Sequence, residues 1–491
     1  MSTKSTLQNH KTLLLLFFFL ITFIGNAQIG IGTTTPDATS IVDITSTTKG
    51  MLAPRMTTIQ RNAITSPAQG LLVYDTDLKS FYYFSSPSGW LPLLNSSVGR
   101  TNFKRVKSAA DLAPELIAGG SVYQLSSNTL YEINGSITLA APINLNDAYI
   151  SGQDTNEDIL TFPGGTIFSG STGGSIRNVT LKAAARAFSI TGGTSLFIQN
   201  TIIDGMTTNV GTISGVGLYF GNIVQFVNNT SGITYSGISS LLLSNQAWLS
   251  TNNGTFETFA GTFGLIQKNS GFSTVDGADL ALDVNGITAL GTGTLLGTVF
   301  SGTTTNTAGY VRGYPAASTY TGYNFSNAWT VDAPGIPREA DSEATGDINL
   351  DAAVGSGIAT TFSSGTTGSG TRRKVLGTTT TNSLFRFTKD GDNRITYRGN
   401  KNRYFQIVAS ISYQNTADAT FILYIAKNGV VLPETKVYGR PSGGLLVTSG
   451  ILALPIVGTV QMKTGDYVEI WVERFDGNGN MSTVSLNLTA R

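Results

Sequence analysis

Acidic side chains are the residues of this 491-residue chain with the most direct capacity for chemistry. Asp147, Asp154 and Asp158 fall in one turn region, and Asp204 follows further along the chain. Carboxylates held about 5–10 Å apart form the acid and base pair that cleaves glycosidic bonds. If the chain is an enzyme, these four aspartates are its candidate catalytic residues, and its substrate is a polysaccharide.

A second acidic run offers a candidate metal site. Asp276, Asp279 and Asp283 lie close together in the sequence, and carboxylate oxygens are the ligands that calcium prefers. The run lacks the Asp-x-Asp-x-Asn-Gly spacing of an EF-hand loop. Solvated turns are therefore the alternative explanation, and calcium is the one cofactor that the sequence suggests.

Histidine and cysteine contribute almost nothing to this chain. Its single histidine, His10, lies near the N-terminus, and it contains no cysteine. A chain without its first 27 residues would have no imidazole base, no thiolate nucleophile, no zinc site of the usual N/S type and no disulfide. The formal charge of +1, with no basic stripe, also argues against nucleic acid as a partner. The composition favours a protein that is not an enzyme.

Residues 1–27 have the pattern of a secretory signal peptide. Lys4 and Lys11 flank a polar start, an apolar run covers 13–24, and small residues precede the predicted cleavage after Ala27. The apolar run is shorter than the roughly 20 residues that span a bilayer. We expect a secreted or cell-surface protein with no membrane span after cleavage; an uncleaved signal anchor is the alternative.

Residues 121–325 read as stacked strand-and-turn units, which are the elements that would position the acidic residues. Short apolar segments recur with an Asn near the end of each, and we take Ile176, Ile198, Val224 and Leu242 as equivalent points in successive coils. The intervening turns are rich in Gly, Ser, Thr and Asn. The pattern predicts an all-β protein whose centre is a right-handed parallel β-helix of the pectin-lyase-like type, with the Asn residues stabilising its turns.

The flanking segments differ in composition. Residues 95–120 are predicted to be a polar joint followed by a short helix that caps the β-helix. Residues 326–382 are rich in Gly, Pro and Ser, which is typical of a neck or linker. Residues 383–491 show the apolar alternation of antiparallel strands, for example at Phe405 and Ile407. They predict a C-terminal antiparallel sandwich.

The segment after the predicted cleavage site carries several motifs in order. These are Gln28–Asp37, Ile41–Ile44, Lys49–Arg55 and Gly70–Asp75. Together they resemble the N-terminal module of secreted and cell-surface proteins of the Bacteroidota, which often precedes tail-fibre-like domains. The resemblance covers residues 28–94, a small β-rich module, and implies an exported surface protein rather than an activity.

The C-terminal block also resembles a known group. Tyr404–Tyr413, Phe421–Gly429 and Met462–Ile470 are similar in order and spacing to the jelly-roll heads of complement-type and tumour-necrosis-factor-like proteins and of phage fibre tips. Such heads are homotrimers. By that resemblance four aromatic residues are candidates for a threefold interface, with a sandwich core as the alternative explanation: Tyr413, Tyr424, Tyr467 and Trp471.

These observations predict a fibre-like structural or adhesive protein at the cell surface or outside the cell. It would be a homotrimer that binds surface glycans or proteins through its β-helix face or its C-terminal head. A β-helix polysaccharide lyase or glycoside hydrolase is one alternative. A component of a phage-like or secretion-linked appendage is the other.

Overall fold

A computed structural model of the chain describes residues 11, 13, 14, 28–93, 101–442 and 450–491. The chain divides into two compact units, Met1–Thr101 and Asn102–Arg491. Most of the predicted signal peptide and residues 95–100 of the predicted joint lie outside the described residues. In the part of the chain that is described, no helix is long and apolar enough to cross a membrane.

The first unit is a small module with little secondary structure. Two short strands, β1 and β2, pair in parallel, and four further strands form a sheet in the order β3-β4-β5-β6. The α-helix begins after Thr57, whose side chain accepts a hydrogen bond from the backbone N–H of Gln60. In chain order the elements are β1 (Ile29–Ile31), β2 (Val42–Ile44), β3 (Arg55–Met56), α1 (Thr58–Asn62), β4 (Leu72–Asp75), β5 (Ser80–Ser85) and β6 (Gly89–Pro92).

The second unit begins with a parallel β-solenoid of about ten turns. The solenoid begins earlier and ends later than the predicted 121–325, because strands that flank this range pair with its outer coils. Its strands are β7 (Phe103–Val106), β8 (Tyr123–Gln124), β9 (Leu130–Ile133), β10 (Ser136–Thr138), β11 (Ile143–Asn144), β12 (Tyr149–Ser151), β13 (Ile159–Thr161), β14 (Thr166–Gly170), β15 (Gly174–Arg177), β16 (Thr180–Lys182), β17 (Arg186–Ile190), β18 (Gly193–Asp204), β19 (Gly211–Ser214), β20 (Val216–Val227), β21 (Ile233–Ser236), β22 (Ser240–Trp248), β23 (Thr255–Val275), β24 (Leu280–Leu296), β25 (Val299–Gly302), β26 (Val311–Arg312) and β27 (Trp329–Asp332).

The stacking register of the solenoid matches the predicted equivalences in part. Ile176 pairs with Ile198, as predicted, and both side chains are buried in the core. The next equivalence is wrong, because Val224 pairs with Thr201 rather than with Ile198. Leu242 pairs with Phe220, on the outer side of the coil. Turns of unequal length separate the strands, so sequence spacing alone does not give the register.

Left-handed backbone at one corner of the coil explains the recurring Asn residues. Asn178, Asn200 and Asn245 have φ values of 54°, 46° and 51°. Asn178 lies between β15 and β16, whereas Asn200 and Asn245 lie within β18 and β22. Asn tolerates this conformation better than most residues. The predicted position in a turn is confirmed for Asn178, whereas the other two residues form the same left-handed bend inside a longer strand. Ile223, with φ of 54°, occupies the same corner without that advantage.

A short helix precedes the first full coil, near where the cap was predicted. It is a 3-10 helix rather than an α-helix, and it spans Ala109–Glu115. Leu112 of this helix is buried in the solenoid core. Pro114 lies inside the helix, and proline removes a backbone donor that an α-helix would use. Other 3-10 helices lie at Ala316–Ser318, Asp341–Glu343, Ser369–Thr371 and Pro433–Thr435.

Two antiparallel sheets at the C-terminus pack over one apolar core. One sheet has the order β31-β28-β40-β34-β38, with β29 also on β40, and the other β32-β33-β39-β35-β36, with β30 on β39 and β37 on β35. We call this part of the chain the head. Its strands are β28 (Thr345–Asp351), β29 (Ile358–Thr360), β30 (Arg373–Lys374), β31 (Leu384–Phe385), β32 (Phe387–Thr388), β33 (Ile395–Tyr397), β34 (Arg403–Asn415), β35 (Ala419–Lys427), β36 (Val430–Val431), β37 (Val437–Gly439), β38 (Leu452–Met462), β39 (Tyr467–Gly477) and β40 (Met481–Ala490).

Residues 326–382 do not form the predicted neck. β27 lies in the last coil of the solenoid, whereas β28, β29 and β30 belong to the two sheets of the head. The Gly- and Ser-rich composition of this segment is compatible with short strands at or near sheet edges. The backbone hydrogen bonds of β28 to the C-terminal strand β40 could not be read from local composition.

The last coil and the head are joined by a buried arginine. Arg386 forms an ion pair with Asp341 and donates hydrogen bonds to the backbone oxygens of Asn327 (3.1 Å) and Trp329 (2.6 Å). Asp341 also accepts hydrogen bonds from two backbone N–H groups of the head. These charge-assisted hydrogen bonds fasten the head to the solenoid.

Candidate assembly interfaces

The acidic residues predicted for catalysis include one with a clear structural role. Asp158 is buried and accepts hydrogen bonds from the backbone N–H groups of Gly135 (2.8 Å), Gln153 (2.6 Å) and Asp154 (3.0 Å). Burial raises the pKa of Asp158, but backbone hydrogen bonds outweigh it, so that the pKa lies below its usual value. The carboxylate is thus held ionised and ties two neighbouring coils together.

The other three candidates differ in their surroundings. Asp154 accepts a hydrogen bond from the backbone of Asn156 (2.8 Å), and Asp147 is an exposed turn residue with φ of 59°. Asp204 forms an ion pair with Lys182 at 3.1 Å. The structure brings Asp154 next to Asp158 through a backbone contact, and Asp204 has a basic partner instead of an acidic one. A catalytic role for these residues stays a prediction.

Two of the three calcium candidates, Asp279 and Asp283, have protein partners of their own. Asp279 accepts a hydrogen bond from the backbone N–H of Gly254 (2.6 Å), and burial raises its pKa. Asp283 forms an ion pair with Arg312 at 3.0 Å. Among the described residues, no cluster of three or more acidic, His or Cys side chains is arranged to hold a metal ion. Calcium binding around Asp276 stays a prediction.

Two of the four predicted interface aromatics lie inside the head. The ring of Tyr413 packs edge-on against Phe421 in the apolar core, and burial raises the pKa of its hydroxyl. Tyr424 is also buried, and its hydroxyl donates a hydrogen bond to Glu473 (2.9 Å). Core packing, the alternative explanation, accounts for the position of Tyr413. Tyr424 lies under a charged surface rather than on an open face.

The remaining two aromatics lie on that charged surface, on the outer side of strand β39. The Arg394 guanidinium stacks on Tyr467, 3.9 Å from the ring centre, and the Trp471 indole donates a hydrogen bond to Glu469 (2.9 Å). Both aromatic side chains are partly exposed. A role for Tyr467 and Trp471 at a subunit interface stays a prediction.

The opposite sheet of the head presents a surface without charge, which the sequence reasoning missed. Strands β34 and β38 lie side by side, with Val408 directly opposite Val457. The exposed, outward side chains of these two strands include no acidic or basic group; they are Tyr404, Gln406, Val408, Ser410, Ala453, Pro455, Val457, Thr459 and Gln461. Large uncharged faces are candidates for protein contacts. A search for missing charge, rather than for aromatic residues, would have found it.

The N-terminal module has almost no core. Within residues 28–93, only Arg61, Val73 and Asp75 are fully buried. Arg61 stacks on Tyr82, 3.8 Å from the ring centre, and lies 3.5 Å from the Asp75 carboxylate. Eleven large apolar side chains of this module are exposed instead: Ile29, Ile31, Ile41, Val42, Ile44, Met51, Leu52, Ile59, Leu78, Phe81 and Leu93. A single buried aliphatic side chain cannot offset the entropy of ordering such a segment.

An ion pair is buried inside the solenoid. The Lys268 ammonium lies 3.0 Å from the Glu257 carboxylate and 5.2 Å from the ring centre of Phe256. Lys268 belongs to the inward column of the coil, since it stacks between Leu243 and Leu295. Burial raises the pKa of Glu257, and Lys268 partly opposes that rise. The pair is a structural part of the solenoid interior, because protein atoms surround both charged groups.

Taken together, the described residues form an all-β protein with a parallel solenoid, a two-sheet head and an N-terminal module that has almost no core of its own. Residues 30–106 match the family model described as "Phage tail like trimerisation region". The match covers the coreless module and ends with β7, the first strand of the solenoid. No curated protein sequence matches the chain.

Three of the solved structures that resemble the chain are only remotely similar to it. Eiger TNF from S. frugiperda is 8% identical, with 30% of this chain and 93% of that one covered and a TM-score of 0.22. Murine APRIL is 10% identical, with coverage of 30% and 99% and a TM-score of 0.18. The enzymatically active domain of bacteriophage CBA120 tailspike protein 4 is 10% identical, with coverage of 90% and 77% and a TM-score of 0.17. At such TM-scores, none of these likenesses establishes a shared fold.

Proposed function

We propose that the chain is a homotrimeric, fibre-like structural protein. The observation that carries the proposal is the coincidence of two facts in one segment. Residues 30–106 match a trimerisation region, and the module within them buries a single aliphatic side chain, Val73, in one copy of the chain. Association with further copies would give this module the apolar core that it lacks.

The solenoid fits the role of a spacer in such a fibre. Each coil hydrogen-bonds to the next, so the stack forms a continuous rod whose core runs through it. The head is fastened to the last coil through Arg386. Its uncharged β34–β38 face supplies a second surface for contact between copies. Spacing and presentation of the head, rather than catalysis, account for these features.

The localisation and the ligand of the fibre are also part of this proposal. The apolar run at 13–24 supports export, and we place the protein outside the cell or at its surface. Adhesion to surface glycans or proteins is the activity suited to a presented head. The description of the matched family as phage-tail-like favours a second candidate, a component of a phage-like or secretion-linked appendage.

The oligomeric state tests the proposal directly. Residues 28–491 are purified and their mass is measured by light scattering coupled to size-exclusion chromatography over a range of micromolar concentrations. We expect a mass three times that of one chain at every concentration above the dissociation midpoint. A monomer or a dimer at all concentrations contradicts the homotrimer.

A further inference from the structure

The parallel pair of β1 and β2 has one apolar face. Ile29 pairs with Val42, and Ile31 pairs with Ile44. Side chains alternate along a strand, and directly paired residues in a sheet lie on the same side. These four aliphatic side chains therefore form one continuous surface, which we call the β1–β2 face.

The other side of the pair makes polar contacts within its own chain. The Asp43 carboxylate accepts hydrogen bonds from the backbone N–H of Asp37 (2.9 Å) and from the Thr45 hydroxyl (3.2 Å). A Cβ added at Gly30 would lie 2.6 Å from the backbone oxygen of Thr33. The turn after β1 thus packs directly on this side, and its polar groups are satisfied within one copy.

Nothing among the described residues covers the β1–β2 face. Ile29, Ile31, Val42 and Ile44 are 58%, 54%, 46% and 43% exposed. Two-stranded sheets are marginally stable in water, and parallel strands normally occur with both faces buried. A parallel pair with a bare aliphatic face is thus incomplete by the ordinary rules of sheet structure.

Two observations indicate that further copies of this chain cover the face. The match to a trimerisation region begins at residue 30, within β1, so the strand pair, apart from Ile29, lies inside the segment whose likeness is to an assembly element. The face also has no charged or hydrogen-bonding side chain, which excludes recognition of a charged ligand. Three identical aliphatic surfaces that converge on a threefold axis would bury one another without any unpaired polar group.

We propose that the β1–β2 face packs around the threefold axis of the trimer, and that β1 and β2 become ordered only as the copies assemble. The proposal rests on the homotrimer proposed above and identifies one of its contact surfaces. Folding of this strand pair is coupled to association, because only the assembled layer buries the side chains of Ile29, Ile31, Val42 and Ile44.

A charge placed on the face tests the proposal. We expect the double variant Ile31→Asp, Ile44→Asp to raise the concentration at which the trimer dissociates at least about 100-fold, as measured by light scattering on residues 28–491. The matched control is Ile41→Asp, because Ile41 is also exposed but precedes β2 and is not one of the four side chains of the β1–β2 face. The control should dissociate within about threefold of the unchanged chain.

Amide hydrogen exchange gives a second readout that does not depend on a variant. The backbone N–H of Ile29 donates to Ile41 (2.9 Å), and that of Thr45 donates to Ile31 (3.0 Å). Both amides should be protected in the trimer and exchange at least about tenfold faster after dilution below the dissociation midpoint. Equal protection in monomer and trimer would overturn the coupling of folding to assembly.

The outcomes separate this inference from the proposed function. If the unchanged chain is not a trimer, the proposed function fails and this inference fails with it. If the unchanged chain is a trimer and the double aspartate variant dissociates like the control, only the assignment of the β1–β2 face is wrong. Loss of the trimer in the double variant, with the circular dichroism of the solenoid retained, supports the assignment.

Discussion

Substitution of Lys268 by Met gives the sharpest test of the solenoid interior. The ammonium group of Lys268 is buried 3.0 Å from the Glu257 carboxylate, and Glu257 is likewise buried. Methionine keeps the approximate length of the side chain but removes its charge. The variant therefore leaves a carboxylate in the apolar core of the solenoid without its cation.

Breaking a buried pair by removing one partner costs about 3–5 kcal/mol in the free energy of unfolding. We expect Lys268→Met to fall in that range. Replacing both members, Lys268→Met together with Glu257→Met, removes the stranded charge and should recover most of the loss. Replacement of a buried pair by apolar residues of similar volume is neutral or stabilising by about 1–4 kcal/mol in other proteins.

The loss of stability caused by Lys268→Met should depend on pH, because Glu257 is a titratable group. Burial raises the pKa of this carboxyl group, and Lys268 lowers it towards its usual value. Without Lys268 the pKa rises further. A group whose pKa is higher in the folded state favours folding below its unfolded pKa, and this contribution is lost as the pH rises through the folded pKa. The destabilisation by Lys268→Met should therefore be smaller at about pH 5 than at about pH 8.

Denaturant unfolding at one protein concentration measures these differences. Fluorescence of Trp248, a buried residue stacked on Phe256, reports on the same region. The matched control is Lys182→Met, because Lys182 pairs with Asp204 at 3.1 Å on the half-exposed surface of the same solenoid. Exposed pairs contribute about 0–1 kcal/mol. If Lys268→Met costs no more than the control, or costs more at low pH, the reasoning about the buried charge is refuted.

Two further substitutions test contacts between elements, each by denaturant unfolding against a matched control. Asn252→Ala removes buried hydrogen bonds to backbone groups of two coils and should cost about 2–3 kcal/mol, whereas the exposed neighbour Asn253→Ala should cost less than about 0.5 kcal/mol. Equal effects would show that the buried hydrogen bonds of Asn252 contribute little to stability. Arg386→Lys should cost at least about 2 kcal/mol, because an ammonium group cannot replace the planar guanidinium fork between Asp341 and two carbonyl groups. The control is Arg338→Lys, because the Arg338 side chain is exposed and forms ion pairs with Asp332 and Glu343. A similar cost for both substitutions would contradict the role of Arg386 in joining the head to the last coil.

Local sequence patterns were sufficient where a side chain's role depends on its own strand or turn. The alternation around Phe405 and Ile407 predicted an antiparallel strand, which is confirmed as β34. The recurring Asn residues predicted turns, because the left-handed backbone at a coil corner favours Asn in any context. The prediction of a neck at 326–382 was wrong for the opposite reason. β28 is a strand because it forms hydrogen bonds with β40, which is far away in the sequence.

The amino-acid sequence by itself determined the class of the protein: an all-β chain with a stacked centre, an antiparallel C-terminal block and no cysteine or, beyond residue 27, any histidine. Composition and periodicity are local quantities, and they are enough to fix strand type and the available chemistry. Only the tertiary structure decided which residues meet. The register that buries Lys268 beside Glu257, and the turn that approaches Gly30 while Ile31 stays exposed, depend on contacts between separate strands and turns that no local pattern encodes.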